Sequence, residues 1–521
     1  MRTANTLSLA LRCAAGLALL AQTACGSGHD GSAPDGSSVA EPGLRRALGG
    51  EPATLDPQLA EDNAALALLQ ELYEGLSSEA ADGRIGPGAA EAWTVAAGGL
   101  AWTFRLREGL RWSNGDPLTA RDFVAGLEAV RSPGTQAPYA ALLENLTAIH
   151  APDPQTVVIE LSRPLPQLPA LLAMPFAAPR RSAPVAGTAL VSNGPYRLLS
   201  RSPGQQLVLE RNPYYREAKA VAIGRVTYLT LEDLNTELNL YRAGELDISS
   251  EVPNAQIGWL RQNLPGELQV APYLSTYAYA VNLARVSDRD ARTALAMAID
   301  RRQITELVTG AGELPAYSWV PPGIPGYARA RFGWADASPD ERTDQARMHW
   351  AAARARGAAP SHLNLCTDAS ANHRRTAVAL ADQWRSTLGL EVTITEMEWK
   401  AYLARREQPG DCDLLRFGWS ADYVDAEAFL ALFATGHAQN LAGYANPAYD
   451  RLQDMAELAP DSAQRSAALA LAEQILLDDA VVIPVFHRVS KRLVKPYVDG
   501  VVANPLGHLP SQHLRLRETK K

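Results

Sequence analysis

An α/β fold containing a doubly wound sheet is predicted for this chain by two observations. Residues 363–419 alternate strand, helix, strand, helix, strand, the pattern of parallel strands joined by crossover helices. The 521 residues are 47% hydrophobic, enough for a large core, and a chain of this length suggests about three domains. No internal repeat recurs at a fixed period.

Taken in order, residues 1–24 read as a secretory signal. Arg2 and Arg12 form a basic flank, and Cys13 to Ala21 is apolar but too short to span a bilayer. The run Leu20-Ala-Gln-Thr-Ala-Cys25 resembles a bacterial lipobox, in which Cys25 becomes the diacylated N-terminus. Gln22 stands where an aliphatic residue is usual, and ordinary signal cleavage nearby is the alternative. Residues 26–43 are rich in Gly, Ser, Pro and Asp, a composition that cannot bury a core and reads as a flexible tether. After the signal, no stretch has the length and apolarity of a transmembrane helix.

The folded part is expected from Leu44. Glu51-Pro-Ala-Thr-Leu-Asp-Pro57 is extended and turn-rich, and a helical pattern follows, ending at Leu72-Tyr-Glu-Gly-Leu76. Trp102-Thr-Phe-Arg-Leu-Arg107 alternates like a half-buried strand, and Asn114-Gly115 is a turn signal. Thr119 stands three residues before Asp122, a capping box opening the helix at Phe123. Strands are expected at Val157–Leu161, Tyr196–Ser200, Gln206–Arg211, Val226–Leu231 and Tyr277–Asn282. Asp290–Asp300 has the apolar spacing of an amphipathic helix, and Ser462–Leu477 is another helical stretch. Val481–Phe486 and Leu514–Leu516 are the last strands.

Formal charge is −8 and no Lys/Arg block occurs, which sets nucleic acid aside as a partner, because phosphate binding needs a basic face. No catalytic constellation is found. There is no Gly-x-Ser-x-Gly elbow, no His-Glu-x-x-His, and no Gly-rich phosphate loop ending in Lys. The nine histidines are scattered without metal-ligand spacing. A lone His150 or His487 reads as structural or solvated. No enzyme activity, cofactor or metal is therefore expected. Cys366 ends one expected strand and Cys412 begins the strand leading to Arg416, so parallel neighbours would hold the thiols at opposite ends. Each strand residue adds about 3.3 Å, and a disulfide needs Cα atoms closer than about 7 Å. Two free, buried thiols are expected.

The stretch Asp413-Leu-Leu-Arg-Phe-Gly-Trp-Ser-Ala-Asp-Tyr423 carries the most chemistry. Alternation puts Arg416 out of step with Leu415 and Phe417, and Trp419 and Asp422 fall just past the strand's C-terminal end. Ligands of open α/β sheets bind at that end. A guanidinium, an indole and a carboxylate there could hold a zwitterion with an apolar body.

This stretch belongs to a series that resembles the solute-binding proteins of ABC importers, peptide and nickel-binding class, oligopeptide-binding branch. The others are Glu51–Pro57, Leu72–Leu76, Trp112–Phe123, Asn193-Gly-Pro-Tyr196, Ala291–Leu295, Ile299-Asp-Arg301, Leu388-Gly-Leu390, Glu398-Trp-Lys400 and Arg492-Leu-Val-Lys-Pro496. Their order covers about residue 45 to 515. The resemblance implies a two-lobed clamshell with an extra domain inserted in the first lobe. Domain I would take residues 44–76, 189–273 and 490–516, domain II residues 77–188, and domain III residues 274–489.

It also implies site roles. Asp422 matches the acid that receives the peptide's α-amino group, and Arg416 the arginine for the terminal carboxylate of short peptides. Arg406 (or Arg405 in a shifted alignment) and His373 match basic positions used at other peptide lengths. Trp419 would give backbone hydrogen bonds and an apolar wall, and Glu61 sits at a position near the peptide backbone. Two departures stand out. Ser275 and Ser420 occupy places where many relatives carry a bridged cysteine pair, and Ala278 replaces a tyrosine, which alters one side-chain pocket. The function so implied is a periplasmic, monomeric receptor, lipid-anchored at Cys25, that captures short peptides and delivers them to an ABC permease and ATPase. The alternative is a non-transport peptide sensor, cell-wall peptide scavenger or holdase on the same fold.

Overall fold

The computed structural model describes residues 43–181, 190–437, 439–459 and 461–517. Cys25, the expected signal, nearly all of the tether and the expected boundary at 188/189 lie outside the described residues.

Three main sheets organise the chain. The first has the order Leu44–Ala47, Arg225–Leu229, Gln206–Arg211, Tyr196–Ser202. Its first pair is parallel and the rest is an antiparallel meander. Leu207 and Leu209 alternate inward and meet Leu68 and Leu72 of the helix Asn63–Leu72. Asp62 caps that helix, its carboxylate accepting from the Ala65 amide at 2.8 Å.

The second sheet, antiparallel throughout, orders Ala90–Val95, Ala101–Leu106, Thr156–Leu161 and Leu146–Asp153. Trp102, Phe104 and Leu106 face its core at a period of two, as the sequence predicts. The capping box is present, with the Thr119 amide donating to Asp122 at 2.9 Å. The helix Ala120–Arg131 starts there, earlier than Phe123, and buries Phe123, Leu127 and Val130.

The third sheet has six strands in the order Leu314–Pro315, Val482–Leu493, Leu268–Val281, Leu414–Ser420, His362–Asp368, Glu391–Met397. Only the last three are mutually parallel, with the helix Ala371–Leu388 as one crossover. The doubly wound pattern thus accounts for half the sheet. The other half is antiparallel, because Leu268–Val281 and Val482–Leu493 come from outside the strand–helix alternation and pair with each other, and Leu268–Val281 joins them to Leu414–Ser420.

Those two strands are much longer than the sequence predicts, at 14 and 12 residues. The outer half of Val482–Leu493 carries the polar run Arg488, Ser490, Lys491 and Arg492, and that of Leu268–Val281 carries Gln269 and Pro272, which hides both from a hydrophobic pattern. Both run through the expected domain boundaries at 273/274 and 489/490. Their register breaks between Pro272 and Thr276, so an irregularity sits at that crossing.

One expectation is overturned. Cys366 and Cys412 form a disulfide, with Cα atoms 5.7 Å apart. Cys366 does not end its strand; it lies opposite Leu415 in the parallel register. Cys412 does not begin the next strand but sits in the preceding turn, its amide bonded to the Pro409 carbonyl. That turn brings it back beside Cys366, against Tyr402 and Leu415. Ser275 and Ser420 stand directly opposite each other, and their hydroxyls hydrogen-bond at 2.9 Å where a bridge is absent.

Candidate functional site

A cavity of about 1090 Å³ is walled by the helix Asn63–Leu72, by Tyr139 and Met174 from the second-sheet region, and by the third sheet. The strand Leu414–Ser420 reaches it through its last residues, Trp419 and Ser420. Leu414, Leu415 and Phe417 anchor the strand in the core, and its far end emerges at Trp419. The chain then bends, and Asp422 faces the cavity.

The Asp422 carboxylate is half-buried and makes no hydrogen bond or ion pair with any described residue. Burial pushes its pKa up to about 6, with the His508 charge pulling the other way. His508 itself is held by Glu79 at 2.9 Å. Tyr139 reports on the same spot. Its phenol is raised well above the ordinary range by burial, then by the charges of Asp422 and Glu61. Glu61 is exposed and lines the cavity. Two carboxylates without partners among the described residues therefore act on one phenol, an arrangement suited to a cationic amine.

Trp419 lines the same wall, and its indole N–H is buried without a partner among the described residues. His373 also lines the cavity, its ring 5.4 Å from that of Tyr277. Its Nδ1 donates to Asp368 at 2.8 Å. Burial lowers the His373 pKa more than that hydrogen bond raises it.

Arg416 and Arg406 are not among the lining residues. Arg416 is buried and donates to Asp368 at 2.6 Å, with its guanidinium over the Tyr402 ring. Burial works to raise the Asp368 carboxyl, but His373 and Arg416 together hold it well below the usual range. Arg416 is covered within its sheet, as are Leu414, Leu415 and Phe417. Asp368, 48 residues away in the chain, lies over it. Arg406 donates to Gln439 at 3.1 Å and lies over the Phe417 ring, while Arg405 pairs with Asp411 at 2.9 Å. Ala278 is fully buried opposite Phe417 and also lies off the cavity wall, so its small size does not enlarge the cavity.

Sequence reasoning missed Arg488, which lines the cavity from the strand Val482–Leu493. Its signal was the continuation of that strand past Phe486. Among the described residues, no His/Cys/Asp/Glu group is arranged to hold a metal ion, and no helix is long and apolar enough to cross a membrane.

Residues 84–440 match the family described as bacterial extracellular solute-binding proteins, family 5 middle. The chain is 34% identical to the periplasmic oligopeptide-binding protein OppA of Salmonella typhimurium, over 90% of this chain and 92% of that protein. It is 33% identical to the probable deoxycholate-binding periplasmic protein YgiS of Escherichia coli, over the same shares. The solved structure of the Escherichia coli murein tripeptide-binding protein MppA superposes with a TM-score of 0.81 at 31% identity, covering 91% of this chain and 98% of that one. With its three main sheets, the cavity described above and this likeness along nearly its whole length, the chain belongs to the bacterial extracellular solute-binding proteins of family 5.

Proposed function

We propose that this protein is an extracytoplasmic receptor that captures short peptides in the cavity and delivers them to an ABC permease and its ATPase. The observation that carries the reading is Asp422. A half-buried carboxylate without a partner is costly, and a peptide's α-ammonium group is the partner it lacks. Glu61 and Tyr139 add acceptors around the same amine, Trp419 offers an apolar wall and a free donor, and His373 offers a polar edge. Two of the relatives support a peptide, one an oligopeptide-binding protein and one a murein tripeptide-binding protein, while a third is named a probable deoxycholate-binding protein.

Arg416 and Arg406 lie one layer behind the wall. For Arg416 to take a terminal carboxylate, it would share or release Asp368; otherwise it acts by holding Asp368 and, through it, His373. The division into domain I (44–76, 189–273, 490–516), domain II (77–188) and domain III (274–489) is supported by the three sheets, one falling chiefly in each. The strands Leu268–Val281 and Val482–Leu493 would be the crossings between lobes. Cys25 is proposed as the lipid anchor.

Native mass spectrometry of the purified protein tests the assignment. The expected ligand is a mixture of short peptides, because main-chain and terminal contacts bind many sequences while water fills the side-chain space. A single bile acid, sugar or metal chelate in their place would overturn it.

A further inference from the structure

Arg488 reaches the cavity wall from the strand Val482–Leu493. Its guanidinium lies 5.6 Å from the centre of the Tyr277 ring. One of its terminal nitrogens is 3.6 Å from where a Cβ on Gly418 would sit, an ordinary contact distance, so the guanidinium lies over Gly418. Gly418 and Tyr277 are register partners across the sheet. The guanidinium therefore rests on the centre of the sheet, beside the Trp419 wall.

No hydrogen bond or ion pair joins Arg488 to any described residue. The other lysines and arginines of the wall are all engaged. Arg46 pairs with Glu71 at 3.2 Å, Lys491 with Glu313 at 3.2 Å, and Arg492 donates to the Gly507 carbonyl at 2.5 Å. Glu251 attracts Arg488 only from a distance and lies 3.8 Å from Lys491. Behind Arg488, Asp368 is already shared by Arg416 and His373. That carboxylate is therefore already committed to Arg416 and His373 and leaves Arg488 without a close counter-charge among the described residues. Burial and the Arg416 charge both disfavour the charged form of Arg488, yet a guanidinium does not give up its proton in a protein. An anion supplied from the cavity would relieve this.

We propose that Arg488 receives a carboxylate of the bound ligand, in a subsite separate from the amine subsite at Asp422. The proposal rests on the peptide reading. Stacking over Tyr277 leaves the guanidinium edge free for two parallel hydrogen bonds to one carboxylate. Gly418 and Asp422 are four residues apart, a span of at most about 14 Å. The carboxylate therefore falls within about four residues of the peptide's amine. It is either the C-terminus of a tri- or tetrapeptide or an acidic side chain near the start of a longer one.

Calorimetry on wild type and Arg488→Gln, with two matched ligand pairs, tests this. The first pair is trialanine and trialanine amide; the second is a hexapeptide amide with glutamate or glutamine at its third position. Arg488→Gln is expected to weaken the acid member of one pair by at least about tenfold and to leave its neutral partner unchanged. The pair affected names the source of the carboxylate. Arg488→Lys, which keeps the charge but not the fork, is expected to lose less. Equal losses on acid and neutral members, or no loss on any, would overturn the proposal while leaving the peptide reading intact. A wild-type protein that binds none of the four would overturn both.

Discussion

Asp422 is the residue on which the site turns, and its environment sets a pH signature. Burial raises its folded-state pKa to about 6, above the ordinary carboxylate value, so the folded protein holds that proton more tightly than the unfolded chain. The sign follows. In the empty protein, the stability that this group contributes is present in acid and is lost as pH rises through about 6. Peptide binding runs the other way, because an ammonium group needs the ionised carboxylate. Affinity should fall as pH drops below about 6, approaching tenfold per pH unit. In Asp422→Asn this slope should vanish, whereas a His373→Gln variant should retain it. Calorimetry at about pH 5, 6 and 7 reads the difference, and an unchanged slope in Asp422→Asn would assign the titration elsewhere. Asp422 and Trp419 were legible in the sequence because a short local motif carries both. The covered state of Arg416 was not, since its partner Asp368 is brought over it only by the parallel register of two strands.

At the scale of elements, the local signals held and the non-local ones did not. The capping box at Thr119 and the hairpin turn at Gly115, where φ is +91°, depend on neighbouring residues and were readable. The lengths of Leu268–Val281 and Val482–Leu493 depend on each other, since each supplies the backbone partners of the other's outer half. Arg488 was missed for the same reason. The disulfide is the clearest case, because a shift of two residues in where a strand begins decided whether Cys412 could reach Cys366. The bridge closes a loop with a sequence separation of 46, and chain entropy values such a closure at about 4 kcal/mol. Urea denaturation without reductant should reveal no titratable thiol from these two positions; with reductant it should reveal both, and the midpoint should fall. Two thiols titrating in the unreduced protein would show that the bridge does not form.

For the whole molecule, one cavity gathers residues far apart in sequence, from Glu61 to His508, so binding and fold are inseparable. The proposed placement at a membrane adds a prediction. Cys25→Ser should release the protein from the membrane fraction, since acyl chains would supply the attachment; sedimentation of the variant with membranes at high salt would rule the anchor out. The central claim is that this molecule takes a peptide by its free amine at Asp422, and a double cycle in calorimetry tests it most directly. Breaking one side of a desolvated charge pair costs about 3–5 kcal/mol, on the order of a hundredfold or more in affinity. Asp422→Asn with a free peptide, and wild type with the N-acetylated peptide, should each lose affinity on that scale. Asp422→Asn with the acetylated peptide should lose much less than the two losses combined, because both changes remove one shared interaction. Affinities untouched by either change, or losses that simply add, would contradict the assignment.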